Sequence, residues 1–234
     1  MSTYDAFAGT QQQTIKPMLA KAANISLWSS TVFLVLVVAL HFIKPEFAPS
    51  WRFLSEYAIG NNGWIMQLAF FFLSASCIAG SISVRSQVKT TAGKIGVWLL
   101  FIVGLSVIVA GFFVMDPVTA GKDELTTHGN LHGMSSMIGV PGLSIAAMLI
   151  SFSLADKNPN WTSAKAQLKL AAYFCLICLV VMFATVFMGL SKTGGKFGPD
   201  VLAGWANRLL VVSWYIWLVL IAKNIIRIST NQQD

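Results

Sequence analysis

Charge is what this sequence has least of. Asp, Glu, Lys and Arg make up 11% of its 234 residues, against about 25% in a soluble domain. No charged residue falls in the middle third of any long apolar block. That excludes a proton or ion pathway built on ionisable groups near a membrane midplane. Cysteine is scarce as well. Cys77, Cys175 and Cys178 all lie inside apolar blocks, so no disulfide framework is implied. Cys175 and Cys178 have the spacing of a metal or redox pair, but with no second pair and no His nearby they read as small packing residues. A cleavable signal peptide is also missing: the first 24 residues are polar, with the run Gln11-Gln12-Gln13, and no small-residue cut site follows the first block. That block is expected to stay as an anchor. Gly194-Gly195-Lys196 lacks the spacing and the preceding strand of a phosphate loop, and reads as a flexible loop.

What is present instead is apolar sequence in uninterrupted blocks, 56% of the chain. Blocks of roughly 18 or more uncharged residues are membrane-length. Six occur: Ile25–Ile43, Trp64–Val84, Ile95–Met115, His128–Leu154, Leu170–Leu190 and Trp205–Ala222. The expected fold class is all-α, a polytopic membrane protein with six transmembrane helices in one bundle over residues 25–228. A tail (1–24) and a short C-terminal end (229–234) flank it.

The net charge of +7 and the pI near 9.5 suggest nucleic acid, but the positions of the charges do not. Ten Lys and Arg fall in the N-terminal tail, the two-three and four-five loops and the C-terminal end: Lys16, Lys21, Arg85, Lys89, Lys94, Lys157, Lys165, Lys169, Lys223 and Arg227. The other six fall on the opposite side. Lys/Arg excess marks the cytoplasmic side, so the chain is expected in the cell membrane with both termini cytoplasmic. The partners this implies are membrane lipid and, as an open class, a second copy of the chain, but no nucleic acid. Trp28 and Trp98 fit the inner aromatic belt, and Trp51, Trp64 and Trp205 the outer one.

Ser50 is placed to N-cap a short helix with Trp51, Leu54 and Tyr57 or Ala58 on one face. It is expected to lie flat on the outer surface, with Arg52, Ser55 and Glu56 on its wetter side. Pro117 stops helix three, leaving Asp116 at a helix C-terminus where the dipole disfavours an anion. Asp116 is therefore expected to have a cationic partner, a metal or a raised pKa. Helix four has little side-chain bulk: Gly129/Gly133 and Ser135/Gly139 are small-xxx-small pairs, and Pro141 is expected to kink it. It belongs in the bundle centre, whereas helix five is apolar all round and faces lipid. Arg208 lies about one turn inside helix six.

On this topology His41, Arg52, Ser55, Glu56, Asp116, His128, His132, Asn207 and Arg208 gather at the outer helix ends. Three readings follow. Three imidazoles, His41 with the His128/His132 pair four residues apart, would leave one open position on zinc. Glu56 or Asp116 would then be the base and Arg208 the oxyanion donor, with Arg52, Ser55 and Asn207 as ligand contacts. In residue types this resembles the membrane hydrolases of the alkaline ceramidase and adiponectin receptor group, whose His pair lies on the last of seven helices. A second reading is a structural polar plug of ion pairs that fixes helix ends. A third is haem clamped between His41 and His128 or His132.

One ordered set of motifs covers nearly the whole chain past the tail. It comprises Ser55-Glu56-Tyr57-Ala58 with Gly60 and Trp64, Phe113 with Asp116-Pro117, Thr126/Thr127 with Leu131-His132-Gly133, and Gly204 with Arg208. These resemble a prokaryotic six-helix membrane family catalogued only as a domain of unknown function, number nine-nine-eight. The resemblance implies a fold and topology and no activity. Position by position it points to Glu56, Asp116, His132 and Arg208, and His128 stands outside its pattern. The expected function is a polar, metal-assisted pocket on the extracytoplasmic side for a lipid headgroup or small polar ligand, with hydrolase-like chemistry. The alternative is a non-catalytic scaffold or sensor.

Overall fold

Proline and threonine set the helix starts in this molecule. The computed structural model describes residues 16–231. In it, Pro17 occupies the first turn of helix α1, Pro17–Ile43, after an extended Lys16. The other long helices are α2 Trp64–Val84, α3 Thr91–Phe112, α4 Thr127–Lys157, α5 Lys165–Lys192 and α6 Ala203–Thr230. Three short 3-10 helices join them: η1 Leu54–Ala58, η2 Lys122–Glu124 and η3 Pro159–Ala164. Thr90 and Thr126 cap α3 and α4, each hydroxyl accepting from the backbone N–H three residues on, at 2.9 and 3.0 Å. No strand occurs among the described residues. All six long helices are long and apolar enough to cross a membrane, and the chain is an all-α integral membrane protein. α1, α4, α5 and α6 have 27 to 31 residues. At 1.5 Å per residue they overrun a hydrocarbon core of about 30 Å, so they tilt or project.

Several boundaries differ from the sequence reading. The first helix begins at Pro17, not Ile25. The rest of the polar tail, Gln11–Gln13 included, lies outside the described residues, as do residues 232–234. α3 ends at Phe112, not Met115: Phe113 is already extended, and Pro117 disfavours helix at the residue before it.

Successive helices run antiparallel and close into a ring, with α6 returning against α1. Serines mark the register. Ser26 and Ser76 bond each other's carbonyls at 2.9 Å across α1 and α2, and Ser74 donates to the Gly104 carbonyl at 2.8 Å across α2 and α3. α3 and α4 meet through glycine: Cβ atoms at Gly142 and Gly96 would press on Val103 and Leu149. α4 and α6 are the most buried spans and α1 and α5 the least, so helix four is central. Trp64 and Trp205 are exposed at the starts of α2 and α6, and Trp28 and Trp98 are exposed further inside α1 and α3, while Trp161, Trp214 and Trp217 are in the core. The end of the bundle carrying Pro17 and Thr230 is the proximal end, and the opposite end the distal one. The proximal end is held by Asp156 between Lys165 and Lys169 (3.0 and 2.8 Å) and by Asn158 donating to the Gln87 carbonyl.

Candidate functional site

The distal end brings the polar residues singled out in the sequence into two adjoining assemblies. The first is a clamp around Arg208, which is 9% exposed. Arg208 lies one turn inside α6, where a guanidinium must find partners or reach for water. It finds four. Nε donates to His41 Nε2 (2.8 Å). Nη1 donates to the carbonyls of Arg52 (2.8 Å) and Gly204 (3.0 Å), and Nη2 to the Tyr57 hydroxyl (3.1 Å). His41 donates from Nδ1 to the Val37 carbonyl at 2.8 Å, so both of its ring nitrogens are used. Tyr57, fully buried, sets its ring edge-on to His41 and Phe47. Glu56, 0% exposed, pairs with Arg52 at 2.5 Å and also accepts from the backbone N–H groups of Phe53 (3.1 Å) and Val118 (3.2 Å).

Gly204 fits because a side chain there would strike the backbone of Pro49 and Trp51. η1 is therefore not an interfacial helix. It starts at Leu54, with Phe53 at its cap, and buries Leu54, Glu56, Tyr57 and Ala58 against the bundle. Glu56 faces inward, contrary to the amphipathic reading, because a carboxylate with three donors is satisfied without water. Lys44, 2% exposed, sits behind η1 and donates to the carbonyls of Tyr57 (3.2 Å) and Ile59. Burial holds its amine below the usual lysine range, and Glu46 at 3.9 Å pulls it partly back.

The second assembly forms where the α3–α4 connection meets α4. Asp116 accepts from the Thr126 N–H and from its hydroxyl, both at 2.8 Å. The expected cationic partner or metal is thus replaced by the positive N-terminal end of α4. Asp116 lies four residues past the end of α3, so the unfavourable C-terminal dipole does not act on it at close range. Gly129 permits this contact, since a Cβ there would overlap the Asp116 carboxylate. His132, 3% exposed, donates from Nδ1 to the Phe113 carbonyl at 2.8 Å and lies edge-on to Phe70. The Ala110 carbonyl is also beside this ring. His128 is exposed and stacks edge-on against Phe113.

Between the assemblies lies a cavity of about 570 Å³, within the range of small-molecule sites. Its rim carries Ser55, Asp116 and Asn130, with His132 and Ser136 on the α4 wall and Asn207 further in, beside Met182. Asn207 accepts from the Leu54 N–H at 3.0 Å and turns its amide nitrogen toward Met182 Sδ at 3.8 Å. Deeper, the walls are apolar: Met137, Val140 and Pro141 of α4 and Met182 and Phe183 of α5. Beyond the cavity α4 and α6 are joined by Trp214 donating to Ser144 (3.0 Å) and Trp217 to Ser151 (2.9 Å). Met137 and Phe183 are 79% and 51% exposed, and exposed Met134, Ile138, Val180 and Phe187 continue this apolar face on both helices. The cavity is thus a cleft open sideways as well as at the distal rim.

This geometry departs from five expectations. Among the described residues, no group of three or more His, Cys, Asp or Glu side chains is placed to hold a metal ion, so His41, His128 and His132 do not form the expected zinc site. His41 belongs to the clamp, His132 to the α3–α4 contact and His128 to the surface. Haem cannot be clamped through His41, because Arg208 and Val37 occupy both nitrogens. Glu56 and Arg208 do not line the cavity and are engaged in three and four hydrogen bonds, so neither stands where the expected base or oxyanion donor would meet a ligand in it. Arg52 pairs with Glu56 and stacks on Trp51 with its guanidinium carbon 4.3 Å from the ring centre, and it is not a ligand contact. Ser55, Asp116, His132 and Asn207 do face the cavity. Gly133, expected to pack against a helix, has nothing within 4 Å of where a Cβ would stand.

The sequence reading missed Asn130, Ser136 and Met182. The first two follow from helical spacing, since Gly129, Asn130, Gly133, Ser136, Met137 and Val140 share one face of α4. Met182 lies in a helix apolar on every side and carries no such signal.

A family model described as "Protein of unknown function (DUF998)" matches residues 28–223. No curated protein and no solved structure matches the chain.

Proposed function

The chain belongs to the DUF998 family, and on that premise we propose that it is an amphiphile-binding membrane protein whose distal cleft holds a lipid or lipid-like molecule. The observation that carries this reading is the polarity gradient along one cavity. Ser55, Asp116 and Asn130 stand at the rim, and Met137, Pro141, Met182 and Phe183 lie deeper beside an exposed apolar face, with Asn207 beside Met182 as the one polar side chain at that depth among the described residues. From Asn130 to Pro141 the α4 wall extends roughly 16 Å, close to half of a hydrocarbon core of about 30 Å. The polar rim then sits at headgroup level and the apolar part within one leaflet. The Lys/Arg distribution supports placing the distal end outside the cell and both termini in the cytoplasm. A reporter fused after Thr230 is expected to report a cytoplasmic location.

Binding is the reading adopted, rather than hydrolysis, because Glu56 and Arg208 stand outside the cavity and bond one another's neighbours in the clamp. The scaffold reading accounts for the clamp alone: Arg208, His41, Tyr57 and Glu56 bond within it and hold η1, α1 and α6 together. It leaves the cleft unexplained. The test is lipid content. Protein extracted in a mild detergent is expected to retain a co-purifying amphiphile by native mass spectrometry. A Gly133→Phe variant, which fills the cleft from a position with open space around it, is expected to lose it. Equal lipid content in the two proteins would contradict the proposal.

A further inference from the structure

We infer that the occupant of the cleft is a single-chain amphiphile with an uncharged, hydroxyl-bearing head. The inference rests on the amphiphile reading above and names its ligand class. Charge comes first. Among the described residues, the cavity lining contains one carboxylate, Asp116, and no lysine or arginine. The nearby guanidinium groups do not line it: Arg52 pairs with Glu56 and stacks on Trp51, its buried Nε without a hydrogen-bond partner among the described residues, and Arg208 donates to His41, Tyr57 and two carbonyls. An anionic head, whether carboxylate or phosphate, would bring its charge to a rim that has no cation and one anion. A cationic head is not required either. Asp116 already faces the N-terminal end of α4 through two hydrogen bonds from Thr126, so its charge is offset.

Hydrogen bonding points the same way. Each Asp116 oxygen has accepting capacity beyond its one bond from Thr126. The Asn207 amide nitrogen meets only a thioether in the cavity wall, and a thioether is a weak acceptor. A head with hydroxyl groups supplies hydrogens to the oxygens and accepts from the amide. A ketone or ester alone would serve the amide and leave the oxygens unmet. Cavity size limits the tail. About 570 Å³, with one wall open between Met137 and Phe183, holds one chain and its head and not a two-chain lipid. The open side between α4 and α5 gives the chain access from the bilayer.

The test uses full-length protein in phosphatidylcholine nanodiscs. Binding of radiolabelled 1-monooleoylglycerol, oleate and oleoyl lysophosphatidylglycerol is compared, with Gly133→Phe as the blocked form. Monooleoylglycerol is expected to bind at least tenfold more tightly than the two anions and to be lost in Gly133→Phe. An Asn130→Lys variant, which puts a cation at the rim, is expected to gain oleate binding, a result that misfolding cannot imitate. Equal binding of all three probes, each lost in Gly133→Phe, would overturn the head-group inference and leave the amphiphile reading standing. No binding of any probe, or binding that Gly133→Phe leaves unchanged, would overturn both. Protection of a cysteine placed at Gly133 by cross-linking to a second copy, and not by lipid, would also overturn both.

Discussion

The clamp and the cleft lie side by side at one end of the bundle and use the same kinds of residue, yet they differ in whether hydrogen bonds are closed. In the clamp, Glu56 and Arg208 are almost fully buried and each has at least three partners. In the cleft, Asp116 and Asn207 are bonded on one side and face open space on the other. Ionised groups at membrane depth are costly unless satisfied. A closed network removes that cost internally and fixes geometry, while an open one needs a molecule from outside. Their link is the Val118 N–H on Glu56, which ties the loop roofing the cleft to the clamp. Polar residues near a membrane surface are therefore not functional by type. The free volume beside them separates the two cases.

The sharpest way to break this comparison is Arg208→Leu. It leaves His41 Nε2, the Tyr57 hydroxyl and two carbonyls without their donor, and about 3–5 kcal/mol of stability is expected to go. Thermal unfolding in detergent should show a large drop, or the protein should fail to accumulate. Arg208→Lys should recover only part of the loss, because one ammonium cannot reproduce the guanidinium fork. An Arg208→Leu protein as stable as the parent would dissolve the distinction between clamp and cleft.

Glu56→Gln comes next. It keeps the shape, discards the charge paired with Arg52, and is expected to cost about 1–3 kcal/mol. Because the Val118 contact is weakened too, hydrogen exchange in residues 113–126 should quicken. Gly129→Ala is smaller: it pushes Asp116 off Thr126 and should cost about 1 kcal/mol, the scale of a lost helix cap. Gly133→Phe sharpens the contrast from the other side. Stability is expected to hold within about 1 kcal/mol, since replacing a helical glycine offsets side-chain ordering, while lipid retention falls.

The smallest effect concerns Lys44. Its folded-state pKa is lowered by burial, so the folded chain binds fewer protons than the unfolded one between that lowered value and the usual lysine value. Stability should therefore rise with pH across that window, with the burial penalty fully present below it. The neutral amine still carries hydrogens for the Tyr57 and Ile59 carbonyls. Lys44→Met should abolish the rise, seen as a flat dependence of unfolding temperature on pH in alkaline buffers.

Much of this was legible in the sequence. The six spans appear as uncharged blocks, and Thr126 before Thr127 is a visible cap. The low bulk of helix four correctly placed it in the interior. The distal gathering of His41, Glu56, Asp116, His132 and Arg208 followed from topology alone. Their division was not legible, because a four-residue spacing such as His128/His132 states only that two rings share a helix face. Whether they converge depends on what packs against that face, and here Phe113 separates their surroundings. The inward turn of η1 was missed for a related reason. Glu56 reads as a surface residue until its three donors, one from a loop 62 residues away, are seen to enclose it.

By itself the sequence determined the number and order of the membrane-length helices, since uncharged apolar run length is a local property. The tertiary structure decided which polar groups bond one another and which face a void. Hydrogen-bond closure and cavity volume depend on distances between segments far apart in the chain, and no local pattern encodes them.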